Sequence, residues 1–142
     1  MEYVAADIAQ AMLDRTLHAA QERGVADQVV TRLADVEALP FEDDSFDLVV
    51  SFTGLHCFPD PALAVVEMAR VLKPGGVLTG SALLNDTGTR YEPMRRLGRL
   101  AGLLGPGCTG DQVTSWLAGS GVPDATLDVS GALGYFRGAK RG

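Results

Sequence analysis

Short apolar runs and segments with helical spacing alternate along the first 84 residues. Four apolar runs predict buried strands, over 3–7, 28–34, 46–52 and 77–84. Apolar residues recur every three or four positions over 8–23 and again in the segment that opens at Asp60 and Pro61, which predicts two helices. Strand, helix and strand in repeated succession are typical of parallel pairing. The pattern therefore predicts an α/β fold with a doubly wound, mostly parallel sheet.

The pattern of residues 85–142 is weaker. Helical spacing continues over 93–104 and 110–119, although Gly98 and Gly102 weaken the first of these segments. Two apolar stretches at 124–129 and 132–137 predict a closing pair of strands. The length of 142 residues is that of one domain.

The charges are unevenly distributed. The chain has 18 acidic and 12 basic residues, and this net charge of −6 disfavours non-specific binding of nucleic acid. Residues 1–70 hold 13 acidic and 4 basic residues, net −9, whereas 71–142 hold 5 acidic and 8 basic residues, net +3. Cys57 and Cys108 form no close pair, which favours a reducing, cytoplasmic setting. No apolar run approaches the roughly 20 residues that span a bilayer.

Three polar side chains follow or end predicted strands, where ligands bind in open α/β sheets. Asp7 ends the first strand, and its carboxylate could accept hydrogen bonds from both hydroxyls of a ribose or could cap a helix starting at Ile8. Asp35 ends the second strand, and no regular helix follows it closely, which makes a capping role less natural. Ser51 lies near the end of the third strand.

Other side chains carry possible chemistry outside these strand ends. His56 follows the most apolar strand and could act as a general base, or it could be a loop histidine packed against its neighbours. Cys57 is expected to be a small buried filler rather than a nucleophile. Three arginines with helical spacing could bind an anionic substrate, although a solvated face is the favoured interpretation: Arg95, Arg96 and Arg99.

Five segments occur in a characteristic order: VAADIAQAML at 4–13, ADVEALPF at 34–41, SFDLVVS at 45–51, LHCFPDP at 55–61 and ARVLKPGG at 69–76. Together they resemble the class I S-adenosylmethionine-dependent methyltransferases, in the type 11 subgroup typified by ubiquinone and menaquinone biosynthesis enzymes. The resemblance covers residues 3–84 and implies a Rossmann-like sheet. It also implies S-adenosylmethionine as cofactor and methyl transfer to a small-molecule acceptor.

The resemblance implies a role for each of the residues at the strand ends. Asp7, with Ile8 beside it, would hold the ribose hydroxyls of the cofactor. Asp35 would bond the adenine amino group, with Val36 against the ring. Ser51 would lie in the wall near the reactive sulfonium. His56 is the candidate catalytic residue.

Residues 1–142 are therefore expected to form a single methyltransferase-like domain, with a cofactor-side core at 3–84 and acceptor-side elements and closing strands at 85–142. Members of the family begin with a further strand and a glycine-rich loop, and the fold is expected to be truncated at its N-terminus, without these two elements. The missing strand would leave two apolar strand edges exposed, which a homo-oligomer could cover.

Two other function classes stay open beside methyl transfer. The chain could be a non-catalytic remnant of the fold, or an interaction module that kept the scaffold and lost the cofactor. A nicotinamide-dependent oxidoreductase also has an acid at the end of its second strand. The glycine signature of that class is missing, and the Leu-Pro-Phe and Lys-Pro-Gly-Gly segments favour a methyltransferase.

Overall fold

The computed structural model describes all 142 residues, which form two compact units, Met1–Pro40 and Phe41–Gly142. The N-terminal unit consists of β1 (Tyr3–Asp7), α1 (Gln10–Glu22), a 3-10 turn (Ala26–Gln28) and β2 (Val29–Leu33). β1 and β2 are parallel, with Tyr3 opposite Val29 and Asp7 opposite Leu33. The unit is a β-α-β crossover, as the alternating pattern predicts.

The C-terminal unit contains four strands and three helices: β3 (Phe46–Phe52), α2 (Pro61–Val71), β4 (Leu72–Leu83), α3 (Glu92–Leu100), α4 (Gly110–Gly119), β5 (Thr126–Ser130) and β6 (Leu133–Ala139). A short 3-10 turn, Thr89–Tyr91, precedes α3. The strand order is β3-β4-β6-β5. β3 runs parallel to β4, whereas β6 runs antiparallel to both β4 and β5.

Both long helices of this unit begin at side-chain caps. The Asp60 carboxylate accepts a hydrogen bond from Leu63 N at 3.0 Å, and Pro61 occupies the first turn of α2. At α4, Thr109 and Gln112 form a reciprocal capping box. Buried apolar side chains from both helices and from β4 and β6 make the core: Ala64, Val65, Met68, Leu78, Ala82, Val113, Leu117 and Phe136.

Gly80 sets the spacing between β3 and β4. A Cβ atom at this position would lie 2.1 Å from the carbonyl oxygen of Ser51 and 2.6 Å from the Phe136 ring. Because no side chain fits there, the backbone of β4 can approach β3 while Phe136 packs on its other side. Gly80 thereby positions the strand that carries Ser51.

The α/β fold is confirmed, and its sheet pairings are mixed. Two of the four strand pairings are parallel and two are antiparallel. The Lys-Pro-Gly-Gly turn lies within β4 as a bulge, since the ladder passes from Phe46 opposite Leu72 to Leu48 opposite Val77. The third helix ends at Leu100 rather than at 104, because Gly102 adopts a left-handed turn with φ +71°. No helix has the length and apolarity needed to cross a bilayer.

Candidate functional site

Asp7 and Asp35 lie at the same edge of the N-terminal unit. Asp7 is the last residue of β1, and its carbonyl oxygen accepts a hydrogen bond from Ala34 N at 2.9 Å. Asp35 comes immediately after Ala34, two residues beyond the end of the parallel strand β2. The carboxyl ends of adjacent parallel strands thus present two carboxylates side by side, which is the edge where ligands of open α/β sheets bind.

The two carboxylates share one local geometry. Asp7 Oδ1 accepts from Ala9 N at 2.8 Å, and Asp35 Oδ1 accepts from Glu37 N at 2.9 Å. Each is an Asx turn, in which a backbone N–H two residues on holds the side chain in place. A carboxylate accepts several hydrogen bonds through its two oxygens, so this anchoring is compatible with binding donors of a ligand.

The structure excludes the capping interpretation of Asp7, and its ribose-binding role stays a prediction. α1 begins at Gln10, with Ala9 at the N-cap and no side-chain cap. Asp7 lies two residues before that N-cap, so it does not cap α1. Ile8, between the carboxylate and the helix, is 73% exposed, and Val36, beside Asp35, is half-buried. Both acids at this edge therefore have an apolar neighbour.

Thr53 is a candidate that the sequence pattern does not reveal. It follows β3 directly and has φ +54°, a left-handed conformation that is unfavourable for a β-branched residue. Two bonds stabilise it there, because Thr53 N donates to the carbonyl oxygen of Ser81 at 2.9 Å and to Ser81 Oγ at 3.1 Å. Strain of this kind clusters at functional sites, and Thr53 lies two residues after Ser51.

Gly54 packs directly against Ser51. A Cβ atom on Gly54 would lie 2.6 Å from Ser51 Oγ and 2.8 Å from the ring of Phe58. The half-buried Ser51 side chain is therefore held between the strand and the loop that follows it. Only a glycine lets the chain turn this closely over the serine hydroxyl.

His56 joins three segments of the C-terminal unit. Its Nδ1 atom accepts a hydrogen bond from Leu83 N at 3.0 Å, at the end of β4. Its carbonyl oxygen accepts from Gly105 N at 2.8 Å, in the loop before α4. A neutral imidazole that accepts at Nδ1 carries its proton on Nε2. Burial lowers the pKa of His56, which favours this neutral form.

This geometry defines what His56 can do to a ligand. In the neutral form Nε2 is a hydrogen-bond donor, while the lone pair of Nδ1 is already used by Leu83. Proton abstraction by His56 would therefore require the bond to Leu83 to break first. The catalytic role of His56 stays a prediction, and this contact makes Nε2–H the hydrogen-bond donor of the neutral ring.

The neutral state of His56 predicts a pH dependence of stability. Because its pKa in the folded chain lies below the ordinary 6.5, the unfolded chain binds more protons as the pH falls through 6.5. The free energy of unfolding should therefore decrease with falling pH in that range. In His56→Asn the free energy of unfolding should depend less on pH, and urea denaturation at pH 7.5 and 5.5 measures this. His18→Asn changes an exposed helix position and should keep the pH dependence of the wild type. Parallel slopes for wild type and His56→Asn would contradict the neutral assignment.

The expectation that Cys57 is a buried filler is wrong. Cys57 is exposed, in the turn after Thr53, and Cys108 is the buried cysteine. Partial burial of the sulfur still raises the pKa of the Cys57 thiol, and burial raises that of Cys108 to about 11. Both are free thiols that stay protonated at neutral pH, which makes neither an activated nucleophile.

The expectation of a solvated face is also wrong for Arg95. The residue is 2% exposed, and its guanidinium donates to the carbonyl oxygens of Leu84 at 3.1 Å and Gly88 at 2.8 Å. It also bonds Thr87 Oγ1 and the Glu92 carboxylate, both at 3.2 Å. Arg95, followed by its neighbouring arginines, holds the pKa of Glu92 below its usual value.

Arg96 and Arg99 do lie on the surface side of α3. Arg96 keeps 76% of its side chain exposed and contacts Glu92 at 3.4 Å. Arg99 contacts the same carboxylate at 3.6 Å and donates to Asn85 Oδ1 at 3.2 Å. For these two arginines the solvated interpretation agrees with the structure.

Two surface cavities lie away from the candidate site residues described above. One, of about 320 Å³, lies between α2 and α4 and includes Leu63, Val66 and Trp116 in its wall. The other, also of about 320 Å³, lies between α1 and the start of β2. No three His, Cys, Asp or Glu side chains are grouped to hold a metal ion.

The comparison with protein families decides which class of protein this edge belongs to. Residues 1–79 match the family model described as a methyltransferase domain. The chain belongs to this methyltransferase family. The match runs from β1 into β4 and contains every candidate site residue predicted above, and the family implies S-adenosylmethionine as the cofactor.

Curated relatives support the same assignment. The chain is 43% identical over 83 residues to the biotin biosynthesis bifunctional protein BioHC of Teredinibacter turnerae. The aligned region covers 58% of this chain and 15% of that protein. The chain is also 43% identical over 77 residues to the ubiquinone/menaquinone biosynthesis C-methyltransferase UbiE of Saccharophagus degradans, which covers 54% of this chain and 31% of that protein. The chain thus spans less than a third of the length of either relative.

A solved structure confirms the fold over nearly the whole chain. A SAM-dependent methyltransferase of Thermotoga maritima superimposes with a TM-score of 0.74 at 19% identity, and the match covers 97% of this chain and 72% of that one. At this identity the likeness shows the fold alone. The Rossmann-like methyltransferase fold predicted from the five segments is confirmed.

Proposed function

We propose that this chain binds S-adenosylmethionine and supports methyl transfer to a small-molecule acceptor. The observation that carries the proposal is the pair of carboxylates of Asp7 and Asp35, each held by an Asx turn at the carboxyl edge of β1 and β2. Two acceptors with apolar neighbours suit an adenosine group, which offers hydroxyl and amino donors around an apolar ring.

The family resemblance suggests a part in this proposal for residues of each unit. Asp7 accepts hydrogen bonds from the ribose hydroxyls, and Asp35 accepts one from the adenine amino group. The side chains of Ile8 and Val36 contact the apolar faces of the adenosine. Ser51 belongs to the wall near the reacting sulfur, and the turn at Gly54 keeps its hydroxyl in place.

Methyl transfer of this type depends mainly on positioning. The bound cofactor supplies a methyl group already activated on a sulfonium. We assign to His56 the role of a hydrogen-bond donor that orients the acceptor through its Nε2–H, because its Nδ1 is occupied by Leu83. A proton is removed by His56 only for an acceptor that must lose one, and only after that bond breaks.

The affinity of the 142-residue chain for the cofactor tests the proposal. The groups assigned above contact only the adenosine part, and among these residues we assign none to the amino-acid tail. We therefore expect S-adenosylhomocysteine to bind with a Kd on the order of 0.1–1 mM, which is about −4 to −5.5 kcal/mol. Adenosine, which lacks the tail, should bind within about threefold of it; isothermal titration calorimetry measures both.

One result of that titration would count against cofactor binding, and a second would count against the assignment of all contacts to the adenosine part. The absence of heat with either ligand at several millimolar would favour the alternative of a non-catalytic scaffold or interaction module. Micromolar affinity for S-adenosylhomocysteine together with much weaker binding of adenosine would mean that this chain itself holds a site for the tail. Guanosine serves as the control ligand, because it lacks the amino group assigned to Asp35.

We further propose that the chain forms a homo-oligomer in the cytoplasm and binds no nucleic acid. β3 is an end strand of its sheet and exposes Leu48, Val50 and Phe52, an apolar row that a second copy could cover. The two free thiols suit a reducing compartment, and the net charge of −6 disfavours non-specific binding of nucleic acid. Light scattering after size-exclusion chromatography gives the oligomeric state.

A further inference from the structure

α3 buries the side chain of Arg95 toward the body of the unit and exposes its apolar side chains to solvent. Arg95 on the inner side is 2% exposed. On the outer side, Met94 is 51%, Leu97 69% and Leu100 88% exposed, and Leu103 just beyond the helix is 71% exposed. A surface helix normally buries its apolar stripe, so this orientation leaves an apolar surface without a covering partner in the chain.

The hydrogen bonds of Arg95 explain why the helix does not rotate to bury its leucines. The guanidinium donates to two carbonyl oxygens and a hydroxyl of the segment between β4 and α3, at Leu84, Gly88 and Thr87. Turning the leucines inward would expose Arg95 and break its hydrogen bonds to the buried Leu84 carbonyl, to Thr87 Oγ1 and to the Gly88 carbonyl, which is costly. The hydrogen bonds of Arg95 therefore keep the apolar side of α3 exposed to solvent.

Exposed positive charges flank this apolar surface. Arg90 precedes α3 and Arg96 lies within it, and both are exposed. Of the four arginines in residues 90–103, Arg95 is buried, and the three exposed ones together with Glu92 give net +2 in a chain of net −6. An apolar stripe bordered by arginines is complementary to a surface that offers hydrocarbon beneath negative charge.

We propose that residues 90–103, the docking segment, bind to the surface of an anionic lipid bilayer. The side chains of Met94, Leu97, Leu100 and Leu103 enter the boundary between headgroups and acyl chains, and Arg90 and Arg96 contact lipid phosphates. The chain lies on the membrane without crossing it. The proposal is independent of cofactor binding, since it uses no residue assigned to the cofactor or the acceptor.

Co-sedimentation with vesicles tests this proposal on the full 142-residue chain. Vesicles of phosphatidylcholine with 30% phosphatidylglycerol should bind the chain at least tenfold more strongly than pure phosphatidylcholine, and 0.5 M salt should remove most of the difference. The double variant Leu97→Ser with Leu100→Ser should weaken binding to the anionic vesicles at least tenfold. Arg96→Gln should weaken it about fivefold, as expected for loss of one arginine near the surface.

A matched control distinguishes binding through the docking segment from non-specific adsorption of exposed apolar side chains. Leu63→Ser with Val66→Ser removes an exposed apolar pair from α2 and should leave vesicle binding unchanged. All variants are expected to fold, because each altered side chain is exposed, and thermal melting checks this. Equal binding to both kinds of vesicle, or unchanged binding by the Leu97 and Leu100 variant, would overturn the proposal. A dimer that this double variant dissociates in the absence of lipid would also overturn it, because a second copy would then cover the stripe.

Discussion

Replacing Arg95 by alanine is expected to lower the free energy of unfolding by about 3 kcal/mol, a large part of the stability of a small domain. The guanidinium is almost fully buried and donates to the carbonyl oxygens of Leu84 and Gly88. Its removal takes one of two donors from the Leu84 carbonyl, which also accepts from Thr87 Oγ1, and removes the Arg95 bond to the Gly88 carbonyl. It also deprives Glu92 of its main partner. Urea denaturation followed by circular dichroism measures the change.

Arg96→Ala is the matched control for this prediction. Arg96 lies on the same helix and contacts the same carboxylate, but 76% of its side chain is exposed. An exposed ion pair contributes little, so this variant should change the free energy of unfolding by less than about 0.5 kcal/mol. If the two alanine variants were equally stable, the buried network of Arg95 would not anchor α3.

Replacing Asp7 by asparagine is expected to weaken binding of adenosine and S-adenosylhomocysteine by about 10–100-fold. Hydrogen bonds to a charged acceptor contribute about 1.5–3 kcal/mol, and 1.4 kcal/mol corresponds to a factor of ten. The amide oxygen of asparagine can still accept the bond from Ala9 N that anchors the aspartate. The substitution therefore removes charge while keeping the turn, and calorimetric titration measures the loss.

Asp27→Asn tests whether the effect of Asp7 is local. Asp27 lies in the 3-10 turn before β2, at the opposite end of the parallel pair from Asp7. The substitution Asp27→Asn removes the same charge from the same unit as Asp7→Asn, so both variants share any general electrostatic effect. Asp27→Asn should bind both ligands as the wild type does. Equal losses in the two variants would contradict a ribose contact at Asp7.

Strand and helix positions could be predicted because they depend on short stretches of sequence. β3 coincides with its predicted range, and α2 begins at the predicted Asp60 cap. The placement of Asp7 and Asp35 at one edge also followed, because each lies at the end of an apolar run and adjacent parallel strands end together. The family assignment rested on the same local segments and is confirmed by the match over residues 1–79.

The errors concern burial. Helical spacing placed Arg95 on a solvated face, and only the fold brings Leu84, eleven residues away in sequence, close enough to accept its hydrogen bond. Cys57 was expected to be buried because cysteine usually is, yet the turn after Thr53 leaves it exposed. The average tendency of a residue type does not determine which neighbours the folded chain supplies.

The local pattern was enough to predict the α/β class, the strand ends and the two acidic residues at the edge of β1 and β2, because periodicity and strand termination are properties of neighbouring residues. The tertiary structure alone decided the left-handed Thr53, the proton position on His56 and the outward apolar side of α3. Thr53 depends on Ser81 and His56 on Leu83, partners 28 and 27 residues away. These features arise from hydrogen bonds between distant segments, which exist only once the strands have paired.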